Sequence, residues 1–266
     1  MAHVPRQPSA HAPGPSVGSR SLRWVVASDR RVCLFTGVSG RLGQDFAARY
    51  ADTYDIVGVY DTTVPSGPFR PLDAPARRAK GGILAVQADL GAVGAPEEVV
   101  RAVLARFGSV DLVVNAAVFR HYAPLHKKAL VDSLDWQLYF NVVVPVRIVS
   151  ALTRRAWSRT IGDNRARHRN VVNLSSVSAS VVYAGQAGYG ASKAALEAVT
   201  RHQASELAAI GVRANAVAPN SFPGIMATGA VSDAVVELDG GTVNGQVLFM
   251  DRGVRRWLPD PGRIPT

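Results

Sequence analysis

The sequence predicts an α/β fold: a single-domain, doubly wound parallel sheet with helices on both faces. Three observations predict it. From residue 31 onward, short apolar runs alternate with longer helical stretches. The runs are apolar at almost every position, as strands buried on both faces require. A glycine-rich turn joins the first run to the first helix, and this architecture binds ligands beyond the carboxyl ends of its strands. No internal repeat divides the chain.

The elements follow in order. Arg31–Phe35 is the first strand and Leu42–Tyr50 the first helix. Ile56–Tyr60 is the second strand. Residues 61–82 hold Pro65, Pro68, Pro71 and Pro75 with several glycines, which predicts a loop. Ile83–Gln87 is the third strand. Pro96 suits a first helical turn, where its missing N–H is not needed; Glu97 and Glu98 follow, and Gly108 lies just past the end. Val110–Val114 is the fourth strand. Asp132–Arg159 reads as one long helix with a kink at Pro145. Val171–Leu174 is the fifth strand. Tyr189–Ile210 is a helix closed by Gly211, Val212–Ala218 the sixth strand and Val247–Met250 the seventh. Residues 1–30 are expected to be a disordered extension, 31–251 the domain and 252–266 a tail.

Composition excludes several classes. At 47% hydrophobic residues the chain is too apolar to be disordered. Cys33 alone cannot build a disulfide scaffold. No run approaches the ~20 apolar residues of a membrane-spanning helix. Leu22–Ala27 is too short for a targeting signal and contains Arg23, so a cytoplasmic location is expected. The net charge of +10 invites a nucleic-acid reading. Its distribution argues against one. Residues 1–31 carry five arginines against Asp29, and residues 154–169 carry six against Asp163. The remainder is nearly neutral, so the excess reads as solvated appendage.

Thr36-Gly37-Val38-Ser39-Gly40-Arg41-Leu42-Gly43 follows the first strand and opens the first helix. Glycines let such a loop turn tightly and approach a pyrophosphate, and the helix N-terminus supplies free N–H groups. Gly37, Ser39, Gly40, Arg41, Leu42 and Gly43 are therefore cofactor candidates. Asp61 ends the second strand. A carboxylate there can bond both ribose hydroxyls and repels a 2′-phosphate, which favours NAD over NADP. Arg41 pulls the other way, since a guanidinium in this loop could pair with a 2′-phosphate.

Asn173-Leu174-Ser175-Ser176 ends the fifth strand, and Tyr189-Gly190-Ala191-Ser192-Lys193 opens the next helix. Tyr189 and Lys193, four apart, share a helix face. A phenol near pKa ~10 is a poor base at neutral pH, and a neighbouring ammonium is expected to lower it. With the Ser176 hydroxyl in the same cleft, the set suits proton transfer coupled to hydride transfer.

The chain at this point resembles the short-chain dehydrogenases/reductases, over residues 31–251. The resemblance rests on the glycine loop, Asp61, Ala88-Asp89-Leu90, Asn115-Ala116-Ala117, Asn141, Ser176, Tyr189-x-x-x-Lys193 and Val212–Pro219. It implies a Rossmann-like fold and an NAD(P)-dependent oxidoreductase of small-molecule alcohols and ketones. It implies Tyr189 as acid and base, Lys193 on the nicotinamide ribose, Ser176 positioning the substrate oxygen and Asn141 supporting a proton-relay water. Asp89 and Leu90 would flank adenine, Asn115 and Ala116 would line the cofactor channel, and Pro219 would contact the cofactor. It also implies a homodimer or homotetramer through the helices near 132–159 and 189–210. The chain departs from the pattern in its loop: most of it looks like the classical branch, but the glycine spacing matches Thr-Gly-x-x-Gly-x-x-Gly of the extended branch. The segment after Pro219 is short, which predicts a reduced lid.

Arg120, His121 and Tyr122 follow the fourth strand near the expected substrate mouth, and His121 and Tyr183 are the substrate-facing candidates. No cluster has metal-ligand spacing. The alternatives are an epimerase or dehydratase of sugar nucleotides with transient oxidation, and a non-catalytic protein binding nucleotides or nucleic acid.

Overall fold

The computed structural model describes residues 30–67, 69–74 and 83–259. The expected N-terminal extension, apart from Arg30, and the end of the expected C-terminal tail lie outside the described residues. Nine described strands form one sheet: β1 (Arg31–Thr36), β2 (Tyr54–Tyr60), β3 (Phe69–Pro71), β4 (Ile83–Gln87), β5 (Leu112–Asn115), β6 (Asn170–Leu174), β7 (Arg213–Pro219), β8 (Val247–Asp251) and β9 (Val254–Trp257). Their order is β3-β4-β2-β1-β5-β6-β7-β8-β9, and every pairing is parallel except β8 with β9. The helices are α1 (Arg41–Tyr50), α2 (Ala95–Phe107), α3 (Lys128–Leu138), α4 (Val144–Arg155), α5 (Ile161–Ala166), α6 (Ala187–Ala208) and α7 (Thr228–Gly240).

Strand periodicity builds two apolar layers. Val32 and Leu34 pack with Val99 and Val103 of α2 and Ile148 and Leu152 of α4. Their neighbours Cys33 and Phe35 face the opposite way, onto Leu42 and Phe46 of α1 and Val231 and Val235 of α7. Successive residues of a strand point to opposite faces, so helices cover both. The strand order reverses between β1 and β5, which opens a crevice beyond their carboxyl ends.

Two helices, α5 and α7, form where none was expected, and three expected elements differ. Within the expected loop 61–82, residues 69–71 form an edge strand, where Pro71 tolerates its missing N–H. The single long helix is instead α3, a π-helical turn at Tyr139–Val143, and α4. Pro145 has no N–H to give the Asn141 carbonyl four residues back, and the chain widens just before it. The expected tail doubles back after residue 251 as β9. Arg252 and Gly253 both have positive φ, 45° and 81°, the two-residue turn whose twist matches a hairpin.

The arginine-rich segment is only partly a solvated surface. Arg154, Arg155, Arg159 and Arg165 are exposed, but Arg169 is buried and Arg167 half-buried. Both reach Asp111, ahead of β5. Arg167 donates to its two oxygens at 2.8 and 2.7 Å, Arg169 at 3.3 Å, and the Val32 N–H at 2.9 Å. Arg169 also donates to Thr160 Oγ1 (2.8 Å) and Ser109 Oγ (2.6 Å). Nearby, Arg31 pairs with buried Asp239 at 3.0 and 2.6 Å, which also accepts from the Tyr54 hydroxyl at 2.8 Å. These groups lace together the amino ends of the strands, opposite the crevice.

Burial would raise the Asp111 carboxyl, but the bonds from Arg167 and Val32 and the charges of Arg167 and Arg169 hold it below its usual value. Asp111→Asn should cost about 3–5 kcal/mol in equilibrium denaturation, because Arg169 is left buried without a counter-charge. The sign follows from the lowered folded value. The Asp111 contribution is complete above its unfolded pKa of ~3.9 and disappears as pH falls through the folded one. The variant's stability should therefore converge on wild type in acid.

Candidate active site

The Thr36 hydroxyl, at the end of β1, accepts from the Ala116 and Ala117 N–H groups at 3.0 and 3.1 Å, tying the glycine loop to the end of β5. Gly37 has φ +75°, and a Cβ there would stand 2.8 Å from the Ala117 Cα. Gly40 is the N-cap of α1 in extended conformation, and no side chain caps the helix. The first-turn N–H groups, which no helix can satisfy internally, thus open onto the crevice. At Gly43 a Cβ would lie 2.5 Å from the Val38 Cα, so α1 rests directly on the loop. This bare, close-set helix start fits the pyrophosphate of a dinucleotide.

A cleft of about 760 Å³ runs from this loop to the tyrosine–lysine pair. Gly37, Ser39, Gly40, Arg41 and Leu42 line it, as do Ala116, Ser176, Tyr183, Tyr189, Lys193 and Pro219. The remaining candidates do not line it. Gly43 serves packing beneath the loop. Asp61 is exposed at the end of β2, its carbonyl accepting from Gln87 at 3.0 Å. Asp89 accepts from the Gly91 N–H at 2.8 Å, and Leu90 is buried. Asn115 turns into the sheet and donates to Asn173 at 2.8 Å, which in turn donates to Thr200 of α6 at 2.9 Å. The His121 N–H bonds Gln137 at 3.3 Å. After Pro219 the chain runs through a short loop into α7, which packs beside α1 on the sheet instead of standing over the cleft.

Ser176 begins a short turn after β6. Its hydroxyl donates to Ser178 Oγ (3.2 Å), which donates to Gln186 Oε1 (2.8 Å). Tyr189 and Lys193 lie in the first turns of α6, both buried. Lys193 Nζ sits 5.7 Å from the Tyr189 ring centroid and donates to the Leu174 carbonyl at 2.6 Å. The phenol is not lowered as the helix spacing led us to expect. Burial pushes it up to about 12, against the opposing pull of the Ser176 hydroxyl. Burial also pushes Lys193 down to about 7, with the Arg120 charge adding to the effect. The ammonium is therefore less favoured than in water, and burial prevails over it at the phenol.

Asn141 lies in the π-helical turn, fully buried. Its carboxamide accepts from the Phe119 N–H (2.9 Å) and donates to the Phe119 carbonyl (2.9 Å) and to Ser192 Oγ (3.0 Å). It does not line the cleft. It fixes the segment after β5 against α6. Three residues of that segment, Val118, Arg120 and Tyr122, do line the cleft, and the Tyr122 ring meets Tyr189 edge-on at 5.7 Å. Arg120 and Tyr122 line the cleft after β5, near the mouth where their place after the strand puts them. Ser178 and Gln186 are site residues that no motif marks.

Among the described residues, no group of three or more His, Cys, Asp or Glu side chains could hold a metal ion. None of their helices is long and apolar enough to cross a membrane.

A family model described as short chain dehydrogenase matches residues 31–235. The 3-oxoacyl-[acyl-carrier-protein] reductase FabG of Staphylococcus aureus is 30% identical over 209 residues, 77% of this chain and 79% of that protein. The 3beta-hydroxysteroid dehydrogenase 1 of Eggerthella lenta is 30% identical over 193 residues, 72% of this chain and 70% of that protein. A short chain dehydrogenase from Burkholderia cenocepacia J2315 in complex with NADP matches with a TM-score of 0.66 at 25% identity, covering 84% of this chain and 97% of that one.

Gly43→Ala tests the close seating of α1. The added methyl group meets backbone, so the variant should lose about 1–3 kcal/mol of stability. The extra thermal stabilisation given by NAD(H) or NADP(H) should shrink as well, since the helix start is displaced.

Proposed function

We propose that this chain, which belongs to the short-chain dehydrogenase family, interconverts a secondary alcohol and a ketone with NAD or NADP, using Tyr189 as acid and base. One observation carries the reading: a single cleft joins the bare helix start at Gly40 to Ser176, Tyr189 and Lys193. Gly37, Ser39, Gly40, Arg41 and Leu42 would hold the nucleotide end, with Ala116 and Pro219 along the same wall. The nicotinamide, when bound, supplies or accepts hydride.

The chain's own task is the proton. In reduction Tyr189 Oη gives its proton to the substrate oxygen. A phenol raised to about 12 is fully protonated at neutral pH, so it is a ready acid. In oxidation the same oxygen must take a proton, and its deprotonated form is scarce until the solution is alkaline. The Ser176 hydroxyl holds the substrate oxygen beside it. Lys193, titrating near 7, can pass a proton towards the phenol, and Asn141 keeps α6 and the segment after β5 in register around it.

Cofactor preference turns on two residues. Asp61 at the end of β2 supports NAD; Arg41 on the cleft wall is the group that would take a 2′-phosphate. Assembly as a homodimer or homotetramer through the α4 and α6 region belongs to the same reading, as does a cytoplasmic location. The glycine spacing favours a second reading, an epimerase or dehydratase that oxidises its substrate only transiently.

Tyr189→Phe should lower turnover by about 10²–10⁴-fold while cofactor binding, read by NADH fluorescence, is retained. Wild-type reduction should hold through neutral pH and fall in alkali, and oxidation should rise with pH. Net conversion of NADH to NAD in proportion to ketone consumed is expected; its absence during turnover would favour transient oxidation. In parallel titrations NADH should bind more tightly than NADPH, and Asp61→Ala should narrow the gap.

A further inference from the structure

We infer that the substrate carries a carboxylate and that Arg120 is the residue that receives it. The inference rests on the oxidoreductase reading above and adds the substrate class to it.

The cleft is lined by positive charge. Its described lining contains three cations, Arg41, Arg120 and Lys193, and no Asp or Glu. Arg41 stands in the glycine loop, at the nucleotide end. Lys193 is bonded to the Leu174 carbonyl beneath the catalytic tyrosine. Arg120 is left over, and it is close to the reacting group: its charge is felt by both Tyr189 and Lys193. Among the described residues no carboxylate pairs with it. A substrate that fills the cleft strips water from this guanidinium, which is unfavourable unless the substrate brings an anion.

Arg120 is not on a free loop. Its predecessor Phe119 is clamped at both N–H and carbonyl by Asn141, and the N–H of its successor His121 is held by Gln137. In an extended chain alternate side chains share a face. Phe119 accordingly turns to α3, its ring meeting Trp136 edge-on at 6.4 Å, and Val118, Arg120 and Tyr122 line the cleft. The backbone on both sides of Arg120 is fixed before any substrate arrives, which reduces the ordering cost of binding.

One guanidinium offers a planar fork that matches a carboxylate at two points. A phosphate dianion beside a single free cation would stay half neutralised. The substrate is then an oxo acid, or the corresponding hydroxy acid, held at its carboxylate by Arg120 and at its oxygen by Ser176 and Tyr189. Pairing also cancels the Arg120 field that helps to hold Lys193 down, so substrate arrival favours the protonated lysine.

The test compares oxo acids of three to six carbons with their methyl esters, in wild type, Arg120→Gln and Arg120→Lys. Wild type should favour the acids in kcat/KM by about ten- to a hundredfold. Arg120→Gln should bring the ratio near one, chiefly through KM, and Arg120→Lys should keep part of it. Arg120 is exposed, so its replacement leaves the packed interior untouched. Calorimetric titration of cofactor-loaded protein with the same oxo acids reads binding without turnover. At least one should bind to wild type and lose that affinity in Arg120→Gln. Esters preferred by wild type, an acid preference surviving in Arg120→Gln, or no oxo acid bound by wild type would each overturn the inference. If the acids bind through Arg120 but Tyr189→Phe reduces them as fast as wild type does, the acid–base reading fails and the anchor stands.

Discussion

The Asn141 carboxamide is buried where three segments meet, and the site is assembled around its hydrogen bonds. It holds both backbone groups of Phe119 and the hydroxyl of Ser192. The first contact fixes the segment that carries Arg120 and Tyr122. The second fixes the helix that carries Tyr189 and Lys193. Neither segment could shift without leaving amide groups unpaired in an interior that cannot solvate them, a loss of about 1–3 kcal/mol for each group. The residue reaches this place because Pro145 obliges the helix to widen one turn earlier. A backbone restriction at one position thus sets the spacing of side chains drawn from two other elements.

The two ends of the sheet use charge in opposite ways. At the amino ends Asp111 and Asp239 are matched by Arg167, Arg169 and Arg31, and burial is compensated bond by bond. At the carboxyl ends the polar groups are left poised. Burial favours neutral forms there, so the phenol rises and the ammonium falls. Poised groups of this kind destabilise a fold slightly, and a firmly laced opposite edge lets the domain carry them.

Much of this was legible in the sequence, and the failures have physical causes. Strand and helix alternation, the glycine loop and the Ser176, Tyr189 and Lys193 set are short-range patterns, and they place the crevice correctly. The edge strand at 69–71 was hidden by prolines that argue for a loop, although an edge tolerates them. The hairpin into β9 was hidden because Arg252 occupies a turn position usually left to Asn, Asp or Gly. The arginines of 154–169 look alike in sequence. Only their distance to Asp111, more than forty residues earlier in the chain, separates the buried from the exposed. Asp61 and Asp89 are easy to select by spacing, whereas Arg120 carries no motif: its place after the fourth strand sets it near the mouth, and only the clamp on Phe119 shows how it is held. The direction of the tyrosine shift was misjudged because i,i+4 spacing reports proximity and says nothing of dehydration.

The sheet's two rims have a further meaning for the molecule in a crowded solution. An open sheet ends in rows of unpaired amide groups that can recruit a strand from another chain. One rim here is β3, three residues long and closed by a proline that has no hydrogen to offer. The other is β9, whose four residues are exposed and include Arg255 and Arg256 side by side. An incoming strand would find too little length on the first rim and, on the second, exposed guanidinium groups, that of Arg255 paired with Glu237. The backward turn at Arg252–Gly253 therefore does more than lengthen the sheet: it replaces the apolar edge of β8 with a charged one, and so discourages fibrous growth of the folded protein.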